Sequence, residues 1–316
     1  MLMSILGEVL MVEHRFGGEH TELKLDVLGA YLDFYCNALK NQRFETWYID
    51  GFAGTGFRQQ TEMTGGIFDN EPIAFKEKTL LGSASIALNV DPPFDHYRFV
   101  EAHGPRRAAL NELCDAAGAR DCAIQGGDAN DYIQKILADP PWSQHRDQWR
   151  QRAVVFLDPY GMSVKWQTLK ALAESERADV WYLFNIKAVN QQMARDSARI
   201  DSSKFLALQE QFGTADWQTA FYRSGPTQGT LFGDTAPSSS KVATPEQISH
   251  FMRERLSTLF RYVSDPLPLT VGNMDRYFEL YCLSNSPSPQ AIALIKKGVT
   301  DIIRKRAQDR RQQGLP

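Results

Sequence analysis

The stretch Tyr48-Ile49-Asp50-Gly51-Phe52-Ala53-Gly54-Thr55-Gly56 decides the fold. A short run of β-forming residues, 45–49, delivers an acid and three glycines into one tight turn. Glycine lets the backbone take positive φ angles and approach a ligand closely. A strand that ends this way reads as the first ligand-binding loop of a nucleotide-binding α/β sheet. A plain strand-to-helix turn would look the same locally, so the rest of the chain has to arbitrate.

Upstream, Leu23, Val27, Leu28, Tyr31, Leu32, Tyr35 and Leu39 recur at helical spacing and predict an amphipathic helix over residues 21–40. Downstream, residues 57–81 read as an insertion with turn signals at Gly65-Gly66 and Asp69-Asn70. Gly82-Ser83-Ala84-Ser85 reads as a short helix start with serines available as caps. Strands follow at 97–101, 122–125, 153–157 and 180–184, alternating with helices that begin near Pro105 or cover 132–137 and 166–173. The run 153–157 is almost wholly apolar, as a central parallel strand is. Such alternation predicts a mostly parallel, doubly wound sheet of the Rossmann kind.

The expected domains are a core over 1–190, a helical cap insertion over 191–265 with a mobile loop at 224–244, and a return to the core over 266–316. That last piece holds an antiparallel pair, about 267–271 and 277–283, closing the sheet edge, and then a helix with a basic end. Thr244-Pro245-Glu246-Gln247 marks a helix start, with a cap, a proline in first position and glutamine at the capping-box position.

Bulk properties narrow the function. A chain of 316 residues holds one principal core with insertions. A formal net charge of −3 exerts no global pull on a polyanion. Contact with nucleic acid would have to use a local patch such as Lys296, Lys297, Arg304, Lys305, Arg306, Arg310 and Arg311. Cys36, Cys114, Cys122 and Cys282 lack the paired spacing of zinc or redox sites and read as reduced, buried side chains. The six histidines make no ligand-spaced pair, so no metal is expected. No run reaches the roughly 18–20 apolar residues of a membrane span. Residues 1–12 are apolar, but Glu8 interrupts them and neither a basic leader nor a cleavage site accompanies them. The expected compartment is the cytoplasm.

The strand tips carry the chemistry. Glu101 ends the second parallel strand, where a carboxylate can accept both ribose hydroxyls. Asp128 ends the third, where an acid and nearby amides, Ala129 among them, can hold an adenine amino group and ring nitrogen. With Asp50, Gly51, Phe52, Gly54 and Gly56 at the first tip, the acids stand in methionine, ribose and adenine order. That order fits S-adenosyl-L-methionine. A nicotinamide dehydrogenase would need G-x-G-x-x-G and an acid about 20 residues on; this loop lacks that spacing, and only the 57–81 insertion, which could delay Glu101, keeps that alternative open. The fold expected is therefore the class I S-adenosylmethionine methyltransferase-like Rossmann fold.

Asp158-Pro159-Tyr160-Gly161 ends the fourth strand and is the candidate catalytic tip. Methylating an exocyclic amine requires an acceptor for the amine hydrogens, a rigid backbone carbonyl and an aromatic face for the extruded base. Asp158, Pro159 and Tyr160 offer these in order. The tip resembles the D-P-P-Y tetrapeptide of amino-methyltransferases with one proline missing, and more closely the D-P-F-G form of some transfer-RNA guanine methyltransferases. Asn185 and Lys187, after the fifth strand, are secondary candidates. Trp142, Trp149, Trp166, Trp181 and Trp217 read as core or cap anchors.

Taken together, the first loop, the delayed Gly82-Ser83, Phe99-Val100-Glu101, Gly127-Asp128-Ala129-Asn130 and Phe156-Leu157-Asp158-Pro159-Tyr160-Gly161 resemble the three-Cys-motif partner proteins. The resemblance takes in the helix around Lys24 and Leu231-Phe232-Gly233. It departs at Gly82-Ser83-Ala84, where Gly-Ser-Pro is expected, and at Leu283-Ser284-Asn285-Ser286-Pro287, which lacks a histidine. It implies a methyltransferase-like fold and a cysteine-motif partner protein, and leaves the substrate and oligomeric state open. The expected activity is methyl transfer to a nucleic-acid base. The alternative is a non-catalytic scaffold partner; a nuclease with Asp50, Asp128 and Asp158 as metal ligands would leave the glycine loop unexplained.

Overall fold

A computed structural model describes residues 19–66, 71–119, 121–224, 239–272 and 274–312. The apolar stretch 1–12, the turn signal at Asp69-Asn70 and the Leu231-Phe232-Gly233 piece lie outside them. The chain divides into two compact units, Met1–Asp158 with Leu294–Pro316, and Pro159–Ala293.

The first unit opens with helix α1 (Glu19–Leu39). Its inner stripe, Val27, Leu28, Tyr31 and Leu32, is wholly buried, as the helical spacing of apolar residues requires. Strand β1 (Glu45–Asp50) follows. The expected insertion is an antiparallel hairpin, β2 (Phe57–Gly66) and β3 (Glu71–Leu81), with Phe57 opposite Leu81. Its base is closed by the Gly82 amide donating to the Gly56 carbonyl at 2.7 Å. A Cβ on Gly82 would lie 2.9 Å from the Gly56 backbone, so this approach needs glycine. The hairpin is thereby spliced into the glycine turn, and the backbone passes from Gly56 to α2 (Ser83–Leu88) as though the insertion were absent. Neither serine caps α2: the N-cap is Gly82, without a side-chain hydrogen bond, and the Ser85 hydroxyl donates back to the Gly56 carbonyl at 2.5 Å.

Next come β4 (His96–Val100), α3 (Gly104–Ala117), β5 (Cys122–Gln125), α4 (Ala129–Ala138) and β6 (Gln151–Leu157). Strands β6, β1, β4 and β5 lie side by side in that order, every pair parallel. Residues Ala153 to Leu157 are completely buried; burying each large apolar side chain contributes about 1.5–3 kcal/mol. This is the mixed α/β, Rossmann-like arrangement expected. The chain steps outward from β1 to β4 to β5, then returns to the opposite flank of β1 with β6. The carboxyl ends of β1 and β6 therefore form a topological switch point, where open α/β sheets bind ligands. One expectation about cysteines fails here. Cys114 on α3 and Cys122 on β5 form a disulfide, their Cα atoms 6.3 Å apart. The left-handed turn at Gly118 reverses the chain and brings the two together.

The second unit holds α5 (Trp166–Ser175), β7 (Ala178–Asn185), α6 (Ile186–Gln192), α7 (Ser202–Phe212) and α8 (Trp217–Phe221). The expected mobile loop at 224–244 is in part regular structure, since Ser224 and residues 239–241 lie in strands and Thr244 caps a helix. Strands β8 (Tyr222–Ser224) and β9 (Ser239–Lys241) pair antiparallel, and what lies between them falls outside the described residues. Helix α9 (Pro245–Ser257) starts with the capping box foreseen, Thr244 and Gln247 bonding reciprocally. Strands β10 (Tyr262–Val263) and β11 (Leu267–Val271) both pair antiparallel with β12 (Met274–Ser284), which pairs antiparallel with β7. Trp166, Trp181 and Trp217 are buried here, and Trp142 in the first unit, as anchors are. Helix α10 (Pro289–Gln312) belongs for most of its length to the first unit, where Gly298 faces Phe34 so closely that a Cβ would sit 2.7 Å from the ring. No helix among the described residues is long and apolar enough to cross a membrane.

Candidate functional site

Three acids end the first three parallel strands, and each is anchored by the same local device. Asp50 Oδ1 accepts the Phe52 amide at 3.0 Å. Glu101 Oε1 accepts the His103 amide at 2.7 Å. Asp128 Oδ1 accepts the Asn130 amide at 2.7 Å and caps α4. In every case the donor lies two residues downstream, so each carboxylate shapes the turn that follows its own strand.

The three differ in what they leave available. Asp50 is wholly buried, and the Tyr48 hydroxyl reaches its Oδ2 at 3.3 Å. Burial pushes its carboxyl up to about 6 from an ordinary 3.8, while hydrogen bonds from Ser83, the Phe52 amide and Tyr48 pull it down and Asp158 adds to the rise. Burial likewise drives the Tyr48 phenol well above its usual value, with Asp50 adding to the effect. Asp50 is placed as the organiser of the glycine turn. Glu101 is 9% exposed, and Arg106 stands 3.8 Å from Oε1. Its Oε2 meets no partner among the described residues. Asp128 works chiefly as a helix cap, next to the buried Ala129.

The glycines separate into two kinds. Gly56, at φ +77°, is demanded by packing: a Cβ would lie 2.4 Å from Leu113 Cδ2. Gly54 at φ +64° and Gly127 at φ +112° also need glycine for their backbone, but a Cβ on either would meet nothing within 4 Å. They border open space at the ends of β1 and β5, the kind of backbone cradle a ligand can approach. Gly51 is closer to the packed kind, with its virtual Cβ 3.0 Å from Leu157. Phe52 supplies the amide that holds Asp50.

At the fourth tip, Asp158 is anchored in a different way. Its Oδ2 is ion-paired to Lys24 Nζ from α1, a residue 134 positions away; the side chains are 29% and 7% exposed. Lys24 Nζ also lies 5.9 Å over the Phe156 ring. Burying an ammonium is costly without a paired acceptor, and Asp158 provides it. From the sequence alone Lys24 is only part of a helix. Its signal was a lysine within the apolar stripe Leu23–Val27, a place where a cation needs a partner. Tyr160 and Pro159 begin the second unit. Tyr160 is 84% exposed, and its carbonyl accepts the Ser163 hydroxyl at 2.5 Å. Asn185 caps α6 by accepting the Ala188 amide at 2.8 Å, a structural task.

No protein-family model matches the chain, and no curated protein sequence does. Among solved structures it is similar to a Legionella pneumophila protein of family DUF519, with 14% identity over 91% of this chain and 93% of that one and a TM-score of 0.47. It is also similar to a candidate methyltransferase from Thermobifida fusca, at 11% identity over 85% and 82% with a TM-score of 0.39. A point variant of MtNAS in complex with S-adenosylmethionine gives 10% identity over 84% and 72% with a TM-score of 0.29. Each is a distant likeness.

Proposed function

We propose that the protein transfers a methyl group from S-adenosylmethionine to an exocyclic amine of a nucleic-acid base. The observation that carries this reading is the switch point itself. The β1 and β6 tips, with Asp50 and Asp158, stand side by side, and glycine-only backbone at Gly54 and Gly127 opens onto free space. When bound, the sulfonium supplies an activated methyl group. Around it, the amides of the 50–56 turn hold the methionine carboxylate, with Asp50 fixing the turn. Glu101 uses its uncommitted oxygen on the ribose hydroxyls. The turn at Gly127, Asp128 and Ala129 borders the adenine.

Asp158 accepts a hydrogen of the amine, freeing the nitrogen lone pair. Asp158 would pass the surplus proton to water, leaving the nitrogen lone pair free for the methyl group that S-adenosylmethionine would supply. Most of the acceleration comes from alignment and proximity. In the sequence motif that Asp158 opens, Pro159 and Tyr160 are the residues that correspond to the rigid carbonyl and the stacking ring. The exposed cations Lys296, Lys297, Arg304 and Lys305 on α10 suit a phosphate backbone. The test is label transfer from S-adenosylmethionine to cellular RNA and DNA. Asp158→Ala should abolish transfer and leave cofactor binding nearly intact; full activity in that variant overturns the assignment.

The second reading is a scaffold that binds a three-Cys-motif protein without catalysis. Engagement of the Asp158 carboxylate by Lys24 favours it, because a catalytic acceptor has to be reachable. Co-purification with that partner, with cofactor bound and no transfer to any nucleic acid, would select it.

A further inference from the structure

The pairing of Lys24 with Asp158 bears on which base the site accepts. An ammonium offers three N–H donors. Among the described residues the Asp158 carboxylate is the one hydrogen-bond partner of Lys24, whose side chain is only 7% exposed. Asp158 in turn has Oδ2 engaged and Oδ1 without a partner among the described residues. An enclosed cation short of acceptors sits directly beside a carboxylate oxygen short of donors, at the end of β6, on the switch point. That arrangement complements a planar edge presenting one donor and one neighbouring acceptor.

Resting on the methyl-transfer reading above, we propose that Lys24 and Asp158 together read the Watson–Crick edge of the target base, so that the substrate is adenine or cytosine and not guanine. In adenine the 6-amino group lies beside N1, and in cytosine the 4-amino group lies beside N3; both ring nitrogens are acceptors. The amine donates to Asp158 while the ring nitrogen accepts from Lys24. Guanine shows a second donor, N1–H, beside its amine on that edge, and the ammonium would face it unpaired. The other ring neighbour of the guanine amine, N3, lies on the ribose side, where the sugar crowds an approaching side chain. The reading thus separates this tip from the guanine-methylating D-P-F-G form it resembles. It also gives a task to a lysine that otherwise only neutralises an acid. Lys24 is a specificity-determining residue in this account, and Asp158 keeps the acceptor role.

The experiment uses the full chain saturated with S-adenosylhomocysteine. It is titrated with adenosine, cytidine and guanosine 5′-monophosphates, and binding is followed by NMR line broadening. Adenosine or cytidine monophosphate should bind about tenfold tighter than guanosine monophosphate, the size of one correctly paired edge. The preference should collapse in Lys24→Met and return in Lys24→Arg, with thermal melts confirming that the variants fold. Equal or tighter binding of guanosine monophosphate overturns the proposal. An unchanged ranking in folded Lys24→Met overturns it too, since a purely structural ion pair would not set base preference. So does failure of all three nucleotides to bind protein that holds S-adenosylhomocysteine. If Lys24→Met does not fold, the wild-type ranking and Lys24→Arg still decide. The two readings fail separately. The predicted ranking without methyl transfer to any nucleic acid sinks the transferase and keeps the edge reader. N2-methylguanine as the product does the reverse.

Discussion

The tips of β1, β4 and β5 and the tip of β6 hold their acids in opposite ways. Asp50, Glu101 and Asp128 each take the amide two residues ahead. Their positions follow from the local turn, and any chain with that turn would place them similarly. Asp158 is held by Lys24 of α1, 134 positions away in the chain. The first group is rigid because it is local. The fourth acid is fixed only once the core has assembled, and its partner is a charge instead of a backbone dipole. The first three carboxylates are thus held by their own turns, and the fourth by a single ion pair.

Breaking the ion pair should have the largest effect. Asp158→Ala leaves the Lys24 ammonium buried without its carboxylate, which should cost about 3 kcal/mol of stability in urea unfolding. Lys24→Met should cost less than half as much, because the stranded Asp158 carboxylate is 29% exposed and water can reach it. Equal costs would mean that the pair is not asymmetrically buried.

Asp50 should give the next effect, and it depends on pH. Its carboxyl is raised from 3.8 to about 6 in the folded protein. Between those values the folded chain binds more protons than the unfolded one, so stability from this group is present at low pH and lost as pH rises toward 6. Relative to Asp50→Asn, the wild-type protein should lose about 2 kcal/mol between pH 4 and pH 7. Parallel pH profiles for the two proteins would show that Asp50 is better solvated than its burial implies. The smallest effect belongs to Asp128. Asp128→Ala removes the cap of α4 and should cost about 1 kcal/mol in the same unfolding assay.

The contrast between the tips also explains what could be read from the sequence. The parallel strands, the glycine turn and the Thr244 capping box are local patterns of spacing and residue type, and they stand where the spacing puts them. The hairpin at 57–81 was visible only as an interruption, because its pairing depends on the Gly56 and Gly82 backbones meeting across 26 residues. The serines after Gly82 resemble caps in one dimension, but packing turns Ser85 back onto Gly56 and Ser83 toward Asp50. Cys114 and Cys122 carry no recognised spacing, and only the turn at Gly118 joins them. The Lys24 and Asp158 pair is hidden for the same reason: nothing in one dimension connects two residues 134 positions apart.

The most direct test of the account is calorimetric titration of the protein with S-adenosylhomocysteine, with Glu101→Ala and Asp158→Ala alongside. The account predicts binding in the micromolar range, weakened at least tenfold by Glu101→Ala and nearly unchanged by Asp158→Ala. A well-folded wild-type protein that gives no binding heat at any temperature tried, and no shift in its melting midpoint with the ligand present, would contradict the cofactor site on which the rest depends.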